Sequence, residues 1–361
     1  MEIKITSIKK KICNMFEKEY NLLTGNGTTA IWLALKALGI KNKRVVVPIN
    51  TCFVVICAIL WSDNLPYFVD IDENHLISPD ELKTIESPDI AAVIFPYMYG
   101  NTGKIKEVIS YSSKKGWVVI EDVAQSLGAR IGRRFAGSFA NITISSFGMG
   151  KIIDLNAGGF ISVNSRDIYK KSLDINAKLA VRNEKKWNEY LRFNHLYCQF
   201  IECHEQGDQV FRFGDALIKT YQWANLVRME PTSQYLSDLN NGLSRLDEAL
   251  QIRKSNAVAF QRVLPRQFVA PLKHNDGATY WRQNIIVKNN RDGLLRFLKK
   301  RKIKASKYFP SIDRLFFPRE GRKYTVSDSM AKQVINLWPG KETKGNDIFM
   351  IADEIKRFYE E

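Results

Sequence analysis

The chain has 361 residues, of which 45% are hydrophobic and 25% charged, which excludes a disordered, collagen-like or low-complexity protein. The length predicts about two domains. The formal net charge of +16 raises the question of nucleic-acid binding, but no nucleic-acid motif accompanies the short basic groups. Solvated basic surfaces are therefore the favoured interpretation, and their field would attract an anionic small substrate.

The sequence predicts a cytoplasmic protein without a membrane span. The longest apolar run, residues 52–61, has ten residues, whereas a membrane-spanning helix needs about 20. The first residues show neither the apolar core nor the cleavage site of a signal peptide. The five cysteines are odd in number and form no CxxC pair, and His204, near Cys203, has no second cysteine pair beside it. We therefore expect neither a disulfide framework nor a metal site.

Strands and helices alternate over residues 25–165. Helices are predicted at 28–38, 50–61, 78–85 and 104–115. Strands are predicted at 44–48, 67–71, 90–95, 117–121, 142–146 and 160–163. Apolar strands that alternate with helices form a mainly parallel sheet covered on both faces, so this region is predicted as an α/β domain.

The remaining chain predicts a second, smaller domain. Residues 166–230 are polar and helical in places, and the segment 182–231 within this region resists a clear assignment. The later elements are a long helix, a strand and two helices, predicted at 236–259, 284–287, 291–301 and 347–359. We therefore expect a large α/β domain over residues 1–235 and a small α+β domain over residues 236–361.

A glycine turn stands directly before the predicted helix at 28–38. Its residues are Gly25, Asn26, Gly27, Thr28 and Thr29. The glycines allow a ligand to approach the backbone, and the free N–H groups and dipole of a helix start favour a phosphate. A capped helix with a glycine turn and no ligand is the alternative.

Two acids, Glu121 and Asp122, end the predicted strand at 117–121 and are followed by Gln125. A buried carboxylate at such a place needs a cationic partner, and a protonated pyridine nitrogen would serve. The alternative is that Asp122 only caps a helix.

A lysine follows the next strand, in the glycine-rich turn from Ser146 to Lys151, and Gly158 and Gly159 come soon after. A lysine in a partly apolar pocket can lose its proton and attack a carbonyl group. A surface lysine in a loop is the alternative if this turn is considered alone.

Together the three junctions resemble the nucleotide-sugar aminotransferases of the DegT/DnrJ/StrS type, which are fold-type-I enzymes that use pyridoxal 5'-phosphate (PLP). The order of the motifs in one α/β domain carries the resemblance, with strong matches over residues 10–165 and weaker ones to the C-terminus. The supporting matches are Val47-Pro48, the run 68–72, Tyr99-Gly100, Gly128-Ala129, Gly132, the run 137–139, Arg253 and the run 337–339.

The resemblance implies a role for individual residues. Lys151 matches the lysine that binds the cofactor covalently and moves the proton, and Asp122 matches the acid that pairs with the pyridine nitrogen. Gln125 matches a residue that contacts the ring, and Cys52 lies where many members carry an aromatic residue over the ring. Gly27, Thr28, Thr29 and Ser146 match the residues that surround the phosphate.

Three departures from the family pattern concern the substrate end of the site. Ala157 stands in place of a common glutamate, and Ser233-Gln234-Tyr235 stands where a partner subunit commonly supplies Asn-Tyr-Arg. The segment 182–231 is longer than in many relatives. A donor with two carboxylates usually meets arginine, and Arg282 is our candidate for this role. The alternative is that Arg282 only caps or pairs at the domain surface.

The sequence therefore predicts a PLP-dependent aminotransferase. By resemblance it moves an amino group from L-glutamate to a keto-sugar nucleotide, in a glycan or surface polysaccharide pathway, and forms a homodimer with active sites at the interface. Two other hypotheses stay open here: a catalytically degenerate PLP-fold binding or regulatory protein, and a basic nucleic-acid-binding protein. The retained Lys151, Asp122 and Ser146 argue against the first, and Lys151 argues against the histidine-dependent dehydratases of the same family.

Overall fold

The computed structural model describes residues 2–203, 209–313 and 322–361. Within these residues the strands are β1 (Tyr20–Thr24), β2 (Arg44–Pro48), β3 (Leu65–Val69), β4 (Ile90–Pro96), β5 (Val118–Asp122), β6 (Arg130–Ile131), β7 (Arg134–Phe135), β8 (Ile142–Ser146), β9 (Gly159–Val163), β10 (Val269–Pro271), β11 (Gln283–Val287), β12 (Ala305–Ser306) and β13 (Val334–Leu337). The helices are α1 (Glu2–Phe16), α2 (Gly27–Ala37), α3 (Phe53–Trp61), α4 (Pro79–Lys83), α5 (Ile105–Lys114), α6 (Arg166–Ala177), α7 (Glu184–Cys203), α8 (Gln209–Asn225), α9 (Ser233–Ser244), α10 (Leu246–Val263), α11 (Arg291–Lys300), α12 (Thr325–Gln333) and α13 (Gly345–Glu360).

The larger sheet has seven strands in the order β1-β9-β8-β5-β4-β2-β3. Neighbouring strands from β8 to β3 pair in parallel, whereas β9 pairs antiparallel with both β1 and β8. The mainly parallel sheet predicted from the apolar runs is therefore confirmed. Its β3 ends at Val69, two residues earlier than predicted, because the next residue, Asp70, turns to accept N–H groups of Val326 and Ser327 at 2.9 and 3.0 Å.

Both faces of this sheet are buried, which explains why its strands are apolar without alternation. In β2, Val45 and Val47 pack into the apolar layer that contains α2 and α3, whereas Val46 packs into the opposite layer. The second layer also receives Ile8 and Phe16 of α1, a helix that the sequence analysis did not predict.

A four-stranded sheet in the order β10-β11-β13-β12 forms the later part of the chain, and all its pairings are antiparallel. Its core contains side chains of α10, α11 and α13. Leu236 and Leu239 of α9 pack instead into the core of the larger sheet. The domain division between residues 235 and 236 stays a prediction.

The single long helix predicted over 236–259 is wrong. The chain forms α9 and α10, which are separated at Arg245, where φ is −105° and ψ is 16°. Asn240, Asn241 and Gly242 are poor helix formers, so this part of the helix is easily interrupted. A Cβ at Gly242 would lie 2.8 Å from Ile153 Cγ2, and the glycine thus lets α9 approach the turn that contains Lys151.

The segment 182–231, which the sequence left unassigned, forms α7 and α8, and these two helices pack against each other. Phe193 and Tyr197 of α7 lie against Phe53 of α3, with ring centroids 5.8 and 4.7 Å apart. This packing places α7 beside the carboxyl ends of the parallel strands. His204 lies outside the described residues. None of the helices in the described ranges has the length and hydropathy of a membrane span.

Candidate functional site

A cavity of about 340 Å³ lies where β5 and β8 end and α2 begins. The carboxyl edge of a parallel sheet is where such folds bind ligands. Most of the residues singled out in the sequence line this cavity: Gly27, Thr28, Cys52, Asp122, Gln125, Ser146, Lys151 and Arg282. Segments more than 250 residues apart in the chain therefore meet around one space.

The glycine turn brings the start of α2 against the end of β8. A Cβ on Gly27 would lie 2.8 Å from Ser146 Cβ, so only glycine allows this approach. Asn26 caps α2 with its side-chain oxygen, which accepts the Thr29 N–H at 2.7 Å. The first N–H groups of a helix have no carbonyl one turn earlier, so this end offers donors to an anion.

Thr29 is not brought to the cavity. Its hydroxyl donates to the Asn225 carbonyl at 3.1 Å and accepts the Val227 N–H at 3.2 Å, and its own N–H is taken by Asn26. Thr29 therefore joins α2 to the segment after α8, and this leaves Thr28 to face the cavity.

Asp122 is buried at the end of β5 and lines the cavity. One carboxylate oxygen accepts the Ala124 N–H at 2.8 Å, which holds the side chain in a local turn. Burial raises the pKa of Asp122, while the Ala124 N–H and the charge of Lys151 lower it. Asp122 thus forms a hydrogen bond of the kind predicted for a helix cap, but no helix begins at this turn. Its buried carboxylate lies at the cavity wall, where the charge of Lys151 acts on it.

The adjacent acid, Glu121, points to the other face of the sheet, as neighbouring residues of a strand do. Its oxygens accept the Tyr97 hydroxyl and the N–H groups of Gly137, Phe139 and Ala140 at 2.5 to 2.8 Å. Burial raises its pKa, whereas these donors and Lys18 lower it. Glu121 therefore organises the loop before β8 and does not face the cavity.

Lys151 lies in the turn that follows β8. Burial lowers the pKa of its amine and Arg282 lowers it further, whereas Cys52 and Asp122 raise it. A distant part of the chain stabilises this turn, since the Trp281 indole N–H donates to the Gly150 carbonyl at 2.7 Å. The Lys151 Nζ lies 5.5 Å from the centroid of the same indole ring. Lys151 is thus half-buried and lines the cavity, which favours the functional interpretation over that of an exposed surface lysine.

Cys52 and Gln125 complete the inner wall. Burial raises the pKa of the Cys52 thiol, and the charge of Lys151 lowers it. The Gln125 side-chain oxygen accepts the Tyr99 N–H at 2.7 Å, and its amide nitrogen lies 3.9 Å from the Met98 sulfur. Gln125 is thereby held in one orientation beside the cavity.

Arg282 is a buried cation, with only 5% of its surface exposed. Its guanidinium carbon lies 3.8 Å from the Trp281 ring centroid and 4.1 Å from that of Trp338. Burial lowers the pKa of Arg282 to about 9, and neighbouring Arg253 lowers it as well. Among the described residues no carboxylate forms an ion pair with either arginine, so Arg282 does not pair at a surface as the alternative supposed.

A second cavity of about 460 Å³ adjoins the first, and Lys151 and Arg282 line both. Arg253 lines the second cavity and donates to the Trp281 carbonyl at 3.2 Å, the same acceptor that Arg282 uses at 2.8 Å. Two buried cations therefore stand together on the far side of Lys151.

The residues that sequence reasoning missed come mainly from α7 and from the end of α8. The additional lining residues include Arg182, Lys186, Trp187, Tyr190, Asn194, Tyr197, Cys198, Ala224, Val227, Tyr308 and Phe309. The sequence signal for these residues was weak. The spacing 187, 190, 194, 197 and 198 indicates that they share one face of a helix, but the sequence does not indicate where that helix packs.

The segment expected to reach a partner subunit contacts its own chain. The Tyr235 hydroxyl donates to the Ala157 carbonyl at 3.2 Å, and a Cβ on Gly158 would lie 1.9 Å from that hydroxyl. Two of the departures from the family pattern, Ala157 and Tyr235, are thus in direct contact, and Ala157 lines the cavity.

The comparisons with known proteins agree with this geometry. The model of the DegT/DnrJ/EryC1/StrS aminotransferase family matches residues 3–356. The GDP-perosamine synthases of Escherichia coli O157:H7 and Vibrio cholerae are 22% and 24% identical, over 98% and 93% of this chain and 90% and 86% of theirs. The structure of the Helicobacter pylori aminotransferase PseC, involved in pseudoaminic acid biosynthesis, superposes with a TM-score of 0.80 at 14% identity, over 99% of this chain and 91% of that chain.

Proposed function

This chain belongs to the DegT/DnrJ/EryC1/StrS aminotransferase family, and we propose that it transfers an amino group from L-glutamate to a keto-sugar carried on a nucleotide. Its fold is that of the fold-type-I PLP enzymes, as the sequence predicts. The observation that carries the proposal is the meeting of half-buried Lys151 and buried Asp122 in one cavity, next to the start of α2 and Ser146.

PLP is the cofactor of the enzyme, and the residues present fit its three functional groups. Lys151 offers an amine to the aldehyde, Asp122 a carboxylate to the ring nitrogen, and the start of α2 with Ser146 offers donors to the phosphate. The close approach of Gly27 to Ser146 supports this assignment, because it leaves backbone and hydroxyl together at one end of the cavity. When bound, PLP acts as an electron sink for carbanion chemistry.

Lys151 holds the cofactor and afterwards moves a proton in this proposal. Burial lowers the pKa of its amine, which favours the neutral form that can accept a proton. Asp122 holds a proton on the ring nitrogen by its negative charge, and its bond with the Ala124 N–H fixes the carboxylate for that task. Gln125 and Cys52 limit the space around the ring.

Arg282, together with Arg253, binds the carboxylates of the amino donor. Guanidinium groups form paired hydrogen bonds with carboxylates. Among the described residues neither arginine has a carboxylate within ion-pair distance; burial lowers the pKa of both, and the charge of Glu342, which also lines the second cavity, raises it. Their position beside Lys151, where the two cavities meet, supports a donor that lies between the amine and these cations.

The relatives suggest the wider setting. Two of them are named for the synthesis of a GDP-linked amino sugar, so a sugar nucleotide is the proposed acceptor here, in a glycan or surface polysaccharide pathway. By resemblance to the family we propose a cytoplasmic enzyme and a homodimer. The hypotheses of a degenerate regulatory protein and of a nucleic-acid-binding protein are not favoured by the family match.

The function is tested with the purified protein and added PLP. Borohydride reduction followed by peptide mass mapping is expected to fix the cofactor to Lys151, and glutamate is expected to bleach the yellow chromophore. A panel of keto-sugar nucleotides then identifies the acceptor by amino-sugar formation. Lys170→Ala, at an exposed lysine of α6, serves as the control for Lys151→Ala. An adduct on another lysine, or a chromophore that does not respond to any amino donor, would contradict the proposal.

A further inference from the structure

The face of α7 that lines the cavity differs from the part of the helix that packs in the core. Phe193 and Tyr197 are 0% and 7% exposed and belong to the apolar layer. Trp187 and Tyr190, nearer the start of the helix, are only half-buried and line the cavity without belonging to an apolar core. Packing of α7 therefore does not explain these two rings.

Three flat groups contact one another at this place. The guanidinium carbon of Arg182 lies 3.8 Å from the Trp187 ring centroid. The Trp187 and Tyr190 rings are stacked, with centroids 5.4 Å apart and planes inclined by 18°. Groups of this shape favour a planar aromatic partner, since stacking exploits the whole face of each ring.

Two cations at the same place have carbonyl groups and aromatic rings, but no carboxylates, as partners among the described residues. Arg182 donates to the Asn156 carbonyl over long distances of 3.3 and 3.4 Å, and Lys186 donates to the Trp223 carbonyl. Neither is within ion-pair distance of a carboxylate in the ranges that the structure describes, unlike Arg134 and Arg245, which pair with glutamates. An anion would therefore find donors here that no acidic side chain already uses.

We propose that Arg182, Lys186, Trp187 and Tyr190 recognise the nucleoside diphosphate part of the acceptor, an inference that rests on the proposed function. The aromatic rings stack with the base, and the two cations bind the diphosphate. The sugar then extends inward along the cavity toward Lys151, while the donor carboxylates bind at Arg282 on the other side. The residues 182–190 thus select the acceptor, and the strand ends hold the cofactor.

The experiment measures binding of UDP, GDP and TDP, each added separately without a sugar, to the PLP-loaded protein by isothermal titration calorimetry. At least one of them is expected to bind to the wild type. Trp187→Ala is expected to weaken that binding about 10-fold or more, because the stacking of one base on one aromatic ring is lost. Arg182→Ala is expected to weaken it about 10-fold and to reduce its dependence on salt.

Matched controls come from the same helix. Leu191→Ala and Arg192→Ala change exposed residues of α7 that do not line the cavity, and both are expected to leave nucleotide binding unchanged. Trp187→Phe and Arg182→Lys keep a ring and a charge, and are expected to recover part of the lost affinity. Bleaching of the chromophore by glutamate serves as a second readout, and it is expected to be unaffected by Trp187→Ala.

The outcomes separate this inference from the proposed function. Nucleotide binding that is absent in the wild type, or equally strong in Trp187→Ala and Arg182→Ala, would overturn the inference and leave transamination in place. An equal loss of glutamate reactivity and nucleotide binding in Trp187→Ala would also overturn it, since the ring would then only support the fold. Selective nucleotide binding without any reaction with amino donors would support the α7 site and contradict the proposed transamination.

Discussion

The two ends of the cavity are built in different ways. The inner end consists of Gly27, Thr28, Asp122, Ser146 and Lys151, which all lie at the end of a strand of one sheet or within five residues after it. The outer end consists of α7 residues on one side and of Arg282 on the other, which reach the cavity from segments whose positions depend on long-range packing. The chemistry of the inner end is therefore encoded locally, whereas the specificity of the outer end depends on how distant parts of the chain pack.

Asp122→Asn tests the inner end and should have the largest effect. The amide oxygen can still accept the Ala124 N–H, so the turn survives, but the negative charge is lost. We expect turnover to fall by about 10²- to 10³-fold, as when one preorganised electrostatic contact is removed. Steady-state kinetics and thermal unfolding should be measured on the same sample. Turnover near that of the wild type would mean that Asp122 only shapes the turn.

Glu121→Gln tests whether the neighbouring acid is structural. The amide has only one oxygen to accept the Tyr97 hydroxyl and the three N–H groups that Glu121 holds, and its NH₂ group faces donors. We expect the free energy of unfolding to fall by about 2–3 kcal/mol. Denaturant titration measures this, with Asp122→Asn as the control that keeps its turn bond. A stable Glu121→Gln variant with low turnover would instead assign Glu121 to the chemistry.

The difference between these two adjacent acids shows what the sequence could predict. Alternation along a strand indicates that Glu121 and Asp122 face opposite sides of the sheet, and the resemblance to the family predicts that Asp122 is the acid at the cofactor. The network around Glu121 could not be predicted, because it depends on the position of the loop at 137–140. The bounds of β2, β4, β5, β8 and β9 were predictable to within one residue, and so was the mainly parallel sheet, because each depends on a short run of residues. The residues of the inner end were named from short motifs of the same kind.

The outer end was less predictable because its residues have no local motif. Trp187 and Tyr190 lie in a segment whose helices the sequence barely indicated. Arg282 could be predicted as a candidate because an amino donor with two carboxylates needs a cationic partner. Its burial between two tryptophans, however, depends on the small sheet. The break at Arg245 was missed because helix periodicity continues on both sides of it.

Arg282→Ala tests the donor side of the outer end. We expect the glutamate concentration for half-maximal bleaching of the chromophore to rise by about 10- to 100-fold, as a charge-assisted pair of hydrogen bonds is lost. Arg282→Lys keeps a charge without the planar fork and should recover only part of the affinity. Arg301→Ala, at a guanidinium that pairs with Glu354 on the surface, is the control. An unchanged glutamate affinity in Arg282→Ala would place the donor carboxylates elsewhere.

The smallest expected effects separate Thr28 from Thr29, two adjacent residues that the family pattern treats alike. Thr29→Val keeps the shape of the side chain but removes the hydroxyl that bonds Asn225 and Val227. We expect the free energy of unfolding of the cofactor-free protein to fall by about 1–2 kcal/mol, because the Val227 N–H loses its partner.

Thr28→Val should leave that stability unchanged, since the Thr28 side chain faces the cavity, and should weaken PLP binding at most about 10-fold, as the loss of one hydroxyl contact allows. Denaturant titration without PLP and cofactor titration by absorbance distinguish the two effects. If both variants lose only cofactor affinity, Thr29 acts at the phosphate after all, and the inner end includes both threonines.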